Sequence, residues 1–233
     1  MRKIITVVNT YRQEAKDAEA KLISLLDGFQ KTTDPKEAEL IVVLGGDGTI
    51  LQAAEMARDA GLPLLGVNLG RVGFLAEVKK FSIEETAKAI LDQSYSIDQR
   101  MTLEYKVMRN ESEVASGWAL NEITIERNGT TMVELFLQID HRPISSWWCD
   151  GLIVATPTGS TAYAFSAGGP IIWPEAEVLV VTPIAAHALF TKPLVISPKS
   201  EITIDVESSD ALVSAEDRKS TRLNSSHMSE SRM

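Results

Sequence analysis

The run Ile41-Val42-Val43-Leu44-Gly45-Gly46-Asp47-Gly48-Thr49 constrains this chain more than any other stretch. Its four apolar residues read as a buried strand. The three glycines read as a loop whose backbone a ligand can approach closely, and the amphipathic stretch from Thr49 reads as a helix. The N-terminus of such a helix points its free N–H groups back at the loop, an arrangement suited to phosphate. The loop carries no lysine, so it is not a P-loop. It carries a carboxylate instead, and a carboxylate among phosphate-binding N–H groups would repel a phosphate. Asp47 therefore serves a hydroxyl or a metal, unless it is a turn residue.

Strands and helices alternate through the first part of the chain. Ile4 to Val8 reads as a strand, and Ala15, Ala18, Leu22 and Leu25 then recur at helical spacing. Asp34-Pro35-Lys36-Glu37 has the N-cap, N1 proline and N3 glutamate that open a short helix. Strands at 40–44 and 64–67 flank a helix marked by Ile50, Ala53, Ala54 and Ala57. Ser82-Ile83-Glu84-Glu85 is a capping box for another. Alternation of this kind predicts a parallel sheet with ligands at the carboxyl ends of its strands. From about Gln99 the period becomes two: Met101, Leu103, Tyr105 and Val107, then Val133, Leu135, Leu137 and Ile139, then Ile202, Ile204 and Val206. Antiparallel β structure with one solvated face gives that pattern.

The expected fold class is thus an α/β N-terminal domain, Rossmann-like with a mostly parallel sheet, followed by a β-rich C-terminal domain. The expected domains are residues 1–98 and 99–217, with 218–233 a non-native tail. That tail is serine-rich and basic, lacks apolar periodicity, and looks like a translated vector or adaptor scar; it is expected to be disordered.

Composition removes several function classes. The net charge is −9, which argues against nucleic acid or a membrane surface as partner. An anionic ligand would have to be met by backbone N–H groups, a few Lys/Arg and a metal ion. The single cysteine, Cys149, excludes an internal disulfide and suits a reducing, cytoplasmic compartment. No segment approaches membrane-spanning length. His141 and His187 are far apart, so no metal-ligand spacing is visible.

A second loop carries hydroxyls. It runs Asp150-Gly151-Leu152-Ile153-Val154-Ala155-Thr156-Pro157-Thr158-Gly159-Ser160-Thr161-Ala162-Tyr163-Ala164-Phe165-Ser166-Ala167-Gly168-Gly169-Pro170. Hydroxyls and loop N–H groups are what ribose and phosphate oxygens need where positive charge is scarce. Tyr163 offers a face for a flat ring. Alone, Thr-Gly-Ser would be a turn before a helix; beside the first glycine loop, a joint site is the better reading. Asn121-Glu122, an amide beside a carboxylate, can read a base edge or ribose hydroxyls.

Together these segments resemble the NAD kinases. Gly45-Gly46-Asp47-Gly48-Thr49 matches that family's glycine–aspartate loop, and Asn68-Leu69-Gly70-Arg71-Val72-Gly73-Phe74-Leu75 looks like its next loop. Asn121-Glu122 matches its Asn-Glu pair, and residues 150–170 are similar to its longest motif. The resemblance implies transfer of the terminal phosphoryl of ATP, or of polyphosphate, to the 2′-hydroxyl of the adenosine ribose of NAD, giving NADP. It implies a divalent cation, with Mg²⁺ expected and its ligands unknown, and a homodimer or homotetramer. It gives Asp47 the role of general base and Gly45, Gly46, Gly48 and Thr49 that of phosphate loop. NAD would be bound by Asp47, Gly48, Phe74, Asn121, Glu122, Asp150, Thr161, Ala162, Tyr163 and Ser166.

The chain departs from the family pattern in three places. The segment before the Asp47 strand is short, so one N-terminal strand is expected to be missing or reduced. Gln52 stands where many actinobacterial-type members have a basic residue. Members also continue past the 202–206 strand with a further glycine-containing loop, so the chain is expected to be truncated. Two alternatives follow: a catalytically inactive dinucleotide-binding fragment, or a lipid or sugar kinase sharing the first loop.

Overall fold

The computed structural model describes residues 2–68, 78–79, 83–188, 190–208, 210–216, 221–223 and 231–232; for 78–79, 221–223 and 231–232 only the backbone is considered. The chain divides into two compact units, residues 1–99 and 100–233.

The first unit contains β1 (Arg2–Val8), α1 (Gln13–Leu25), β2 (Phe29–Lys31), β3 (Leu40–Gly45), α2 (Asp47–Ala60), β4 (Leu64–Asn68), β5 (Val78–Lys79) and α3 (Ile83–Asp92). Its five strands form one sheet in the order β2-β1-β3-β4-β5, parallel throughout. β3 is buried on both faces, which explains its unbroken apolar run. Leu40, Val42 and Leu44 pack with Ala18 and Leu22 of α1 and with Ala87 and Ile90 of α3. Ile41 and Val43 pack with Ile50, Ala53 and Ala57 of α2. Each fully buried Val, Leu or Ile among them contributes about 1.5–3 kcal/mol.

α2 ends at Gly61, whose left-handed φ of +64° lets its N–H and that of Leu62 close back on Ala57. Strand order reverses between β1 and β3, so the carboxyl end of β3 is a topological switch point.

The segment expected to have a strand missing or reduced carries the three-residue β2 at the sheet edge. One expectation for this unit changes. Asp34 does not open a helix. Its side chain accepts the Lys36 N–H at 2.9 Å and its carbonyl accepts the Glu37 N–H at 3.1 Å, but β3 begins at Leu40, so one turn is all the chain allows. Ser82 of the expected capping box lies outside the described residues.

The second unit holds β6 (Leu103–Arg109), β7 (Ser112–Ala119), β8 (Glu122–Arg127), β9 (Val133–Ile139), β10 (Arg142–Cys149), β11 (Gly151–Ala155), a 3₁₀ turn at Gly159–Thr161, α4 (Tyr163–Ser166), β12 (Leu179–Ile184), β13 (Leu194–Ile196), β14 (Ile202–Ser208), β15 (Ala211–Ala215), β16 (Thr221–Leu223) and β17 (Ser231–Arg232). The sheets have the orders β13-β12-β11-β8-β15-β16, β10-β9-β14 and β17-β6-β7, all antiparallel.

Tight turns at Asn110-Glu111 and Asp140-His141, both residues of each at positive φ, close the β6–β7 and β9–β10 hairpins. The core collects alternate residues: Leu103, Tyr105 and Val107; Ile123 and Ile125; Val133, Leu135 and Leu137; Trp147 and Cys149; Ile202, Ile204 and Val206. In the stretch expected to be disordered, 221–223 and 231–232 pair with β15 and β6. Those strands otherwise offer unpaired backbone groups to any extended neighbour.

Candidate functional site

In the first unit the glycine–aspartate loop sits at the switch point. Gly45 closes β3 opposite Asn68 of β4, and Leu44 lies opposite Val8 of β1. The N–H of Asn9, just after β1, donates to the Leu44 carbonyl at 3.0 Å. The three glycines answer to different demands. A Cβ on Gly45 would lie 2.5 Å from Thr49 Oγ1 and 2.8 Å from Thr49 Cβ, so the helix start itself requires glycine there. A Cβ on Gly46 or Gly48 would meet nothing within 4 Å. Gly46 is extended, φ −106°, a conformation open to any residue. Packing therefore explains the first glycine and not the other two.

Asp47 is the first residue of α2, partly accessible, and no side chain caps this helix. An acid in a first turn is worth 0.3–1 kcal/mol against the helix dipole, so Asp47 has a structural use as well as a chemical one.

In the second unit the Asn-Glu pair and the hydroxyl loop are brought together. Asn121 and Glu122 are both buried where β8 begins. The Asn121 carbonyl accepts the Thr156 N–H at 2.9 Å, and the Thr156 hydroxyl donates to the Leu120 carbonyl at 2.6 Å. The same hydroxyl accepts the Gly159 N–H at 3.1 Å. The 3₁₀ turn then lies directly on Asn121: a Cβ on Gly159 would be 2.1 Å from the Asn121 carbonyl oxygen. Asn121 is 6% exposed, and its Oδ1 is buried without a hydrogen-bond partner among the described residues. A buried amide oxygen left unpaired costs about 1–3 kcal/mol, a deficit that a donor on a ligand would remove.

The hydroxyls of the loop divide into two sets. Thr156 and Ser160 are fully buried, and Ser160 Oγ donates to the Pro157 carbonyl at 2.7 Å and accepts the Ile172 N–H at 2.9 Å. They hold the loop's shape. Thr161, Ala162, Tyr163 and Ser166 are partly or fully exposed along the 3₁₀ turn and α4, while Ala164 turns inward against Ile153 and Ala155. Gly168, at φ +89°, ends this short helix in the left-handed conformation.

Tyr163 Oη donates to Glu126 Oε1 at 2.9 Å. Asp150 pairs with Arg127 Nε at 2.6 Å, and its carbonyl accepts the Arg127 N–H at 2.9 Å. Glu126 and Arg127, adjacent at the end of β8, belong to no motif visible in the sequence. Each is an ordinary charged strand residue until the register sets Gly151 opposite Glu126.

Phe74 lies outside the described residues. Among the described residues no cluster of three or more His, Cys, Asp or Glu side chains is placed to hold a metal. Cys149 is buried, and burial pushes its thiol up to about 12, which removes it as a nucleophile near neutral pH. His187 pairs through its backbone with Trp148. No helix among the described residues is long and apolar enough to cross a membrane.

Comparison with known proteins covers nearly the whole chain. The profile of the ATP-NAD kinase N-terminal domain matches residues 4–95, and that of the ATP-NAD kinase C-terminal domain matches residues 120–232. NAD kinase 2 of Streptomyces coelicolor is 52% identical over 169 residues, 72% of this chain and 56% of that protein. The NAD kinase of Corynebacterium glutamicum is 54% identical over 173 residues, 73% of this chain and 60% of that protein. The NAD kinase of Rhodococcus opacus is 45% identical over 232 residues, 96% of this chain and 72% of its own length. The chain thus spans less than two thirds of the first two relatives. Among solved structures, yeast NADH kinase complexed with NADH aligns with a TM-score of 0.84 at 25% identity, over all of this chain and 79% of that one. An NAD kinase from Archaeoglobus fulgidus in complex with ATP aligns with a TM-score of 0.73 at 30% identity, over all of this chain and 90% of that one.

Proposed function

This chain belongs to the NAD kinase family, and we propose that it phosphorylates the 2′-hydroxyl of the adenosine ribose of NAD, with ATP as donor, to give NADP. The observation that carries the reading is Asn121: its Oδ1 is buried without a hydrogen-bond partner among the described residues, and its backbone is clamped against the turn that presents Thr161, Ala162, Tyr163 and Ser166. An adenine amino group or a ribose hydroxyl supplies the donor that this oxygen lacks. Glu122 holds the ribose side, and the accessible ring of Tyr163 gives the base a flat neighbour. Asp150 contributes to dinucleotide binding.

In the reaction Asp47 accepts the proton of the 2′-hydroxyl. A bond forms from that oxygen to the terminal phosphorus, the bond to the bridging oxygen breaks, and ADP leaves. Little proton transfer is needed early in a loose transition state, so a carboxylate suffices as base. Gly45, Gly46, Gly48 and Thr49 form the phosphate loop. The backbone N–H groups at the start of α2 face developing negative charge, and the bare Gly46 and Gly48 leave room for phosphate oxygens. A divalent cation, with Mg²⁺ expected, neutralises phosphate charge when bound.

Polyphosphate is an alternative donor for the same loop. A homodimer or homotetramer is part of the proposal, supported by the exposed apolar Phe165, Ile171 and Trp173 of the second unit. The proposed compartment is the cytoplasm, supported by the single thiol.

The test is formation of NADP from NAD and Mg-ATP by the 233-residue chain, beside its Asp47→Asn variant. Turnover that collapses in Asp47→Asn while NAD affinity holds supports the mechanism; an unchanged rate removes Asp47 as base. One second reading has an observation behind it. The chain covers 56% and 60% of its first relatives, so it acts either as an enzyme or as a dinucleotide-binding fragment. Calorimetric NAD binding with no turnover selects the fragment.

A further inference from the structure

One buried carboxylate has no part in the chemistry above. Glu216 directly follows β15, is 8% exposed, and holds a left-handed φ of +50°. Its Oε1 accepts the backbone N–H of Leu120 and, at 2.5 Å, that of Asn121. Its own N–H donates to the Glu122 carbonyl at 3.2 Å. Burying a carboxylate is costly unless donors meet it, and a glutamate at positive φ adds backbone strain. Both costs are accepted here to hold one short stretch, 120–122.

That stretch is fixed from two sides. Glu216 holds the N–H groups of Leu120 and Asn121, and Thr156 holds both of their carbonyls. Gly159 leaves no room for the Asn121 backbone to slide. Among the polar atoms of these two residues, the Asn121 side-chain oxygen is the one left buried with no hydrogen-bond partner among the described residues. A network built only for stability would be expected to satisfy its own members.

We infer that Glu216 is a positioning residue: by gripping the Leu120 and Asn121 N–H groups it fixes Asn121 so that its side-chain oxygen accepts a hydrogen bond from the adenosine half of a dinucleotide. The inference rests on the proposed function, and it assigns the binding of that half to a residue 95 positions away in sequence. Glu216 touches neither substrate nor phosphate in this role; it acts through Asn121.

The experiment uses the full 233-residue chain with NAD as calorimetric probe. Glu216→Ala and Asn121→Ala should each weaken NAD binding by at least about tenfold, the order of loss when a buried hydrogen bond goes unmade. Glu216→Gln should stay within about threefold of wild type, because its amide carbonyl can accept the same two N–H groups. The double variant Asn121→Ala/Glu216→Ala should bind no more weakly than Asn121→Ala alone. Additive losses, or a Glu216→Ala protein that binds NAD normally, overturn the inference.

A second arm needs no ligand. In ¹H–¹⁵N spectra, the Asn121 side-chain amide signals should move in Glu216→Ala and stay in place in Glu216→Gln; unmoved signals in Glu216→Ala overturn the inference. Should wild type fail to bind NAD, the proposed function falls and this arm alone decides the positioning role. If Glu216→Ala does not fold, Glu216→Asp, one methylene shorter, takes its place in both arms.

Discussion

Replacing Gly159 by alanine tests the clamp on Asn121 most directly. The added Cβ would stand 2.1 Å from the Asn121 carbonyl oxygen, 2.4 Å from its carbonyl carbon and 2.8 Å from its Cα. Ordinary heavy-atom contact is roughly 3.5 Å, so one backbone must retreat by about 1 Å or more. Neither can do so freely. The Asn121 carbonyl is bound by the Thr156 N–H at 2.9 Å, and the Gly159 N–H is bound by the Thr156 hydroxyl at 3.1 Å. Overpacking costs about 1–3 kcal/mol, and a lost buried hydrogen bond adds about 1 kcal/mol. A total near 3 kcal/mol corresponds to a fall in Tm of about 6–12 °C for a chain of this size. Calorimetric melting measures it, and NAD titration of the same sample should show binding weakened by at least about tenfold. A Gly159→Ala protein that melts within about 1 °C of wild type and binds NAD normally would refute the close approach on which the site reading depends.

The other glycines and hydroxyls give sharper contrasts. Gly48→Ala should raise stability by about 0.5–1 kcal/mol, since it removes a glycine from a helix with nothing in the way; denaturant titration should show the gain while turnover with ATP falls, and unimpaired turnover would remove Gly48 from the phosphate loop. Gly45→Ala should instead destabilise by about 1–3 kcal/mol through its clash with Thr49, whatever it does to turnover. Thr156→Val strands the Leu120 carbonyl and the Gly159 N–H, for about 2–4 kcal/mol, whereas Thr156→Ser should cost under about 1.5 kcal/mol; equal losses in denaturant titration would deny the hydroxyl its bridging role. Cys149 should resist alkylation at pH 8 in the folded chain and react at once in denaturant, because burial holds its thiol up to about 12.

How far these features could be read beforehand depended on how locally they were encoded. β3 was legible because burial on both faces leaves a pure apolar run, and β9 and β14 because one face alternates cleanly. β7 and β10 were not, since Ser, Gly and Pro interrupt them and their outward faces blur the period. β12 carries Pro183 opposite Leu152, near the end of the strand, and a proline argues against a strand when only the sequence is in view. At Asp34 the capping chemistry was read correctly and the helix was not. A cap fixes only the first turn, and the chain had to reach β3 within a few residues.

The site shows the same division. Asn121 and the hydroxyl loop stood out as motifs. Yet residue type could not separate Thr156 and Ser160, fully buried and spent on internal bonds, from the exposed Ser166, or from the half-buried Thr161, whose hydroxyl donates to the Thr158 carbonyl at 3.3 Å. Glu216 had no signal at all, because its importance arises from sheet order alone. β15 lies beside β8, and that adjacency brings its end to the start of the Asn-Glu pair.

The two loops also differ in what their glycines are for, and the difference bears on function. Gly159 and Gly151 are demanded by neighbouring backbone: an added Cβ would strike the Asn121 carbonyl in one case and the Ile125 carbonyl oxygen, at 2.6 Å, in the other. Their absence of side chain is explained within the protein. Gly46 and Gly48 meet no such neighbour, and Gly48 takes the second position of α2, where alanine would be favoured by about 0.5–1 kcal/mol. A cost carried without any return in packing points to something outside the chain that needs the space. The N–H groups at that helix start make an anion the natural occupant. Under the proposed function, Asp47, between the two bare glycines, stands where the attacking hydroxyl would give up its proton. The carboxylate that would spoil a simple phosphate cradle suits one in which a hydroxyl attacks the phosphate.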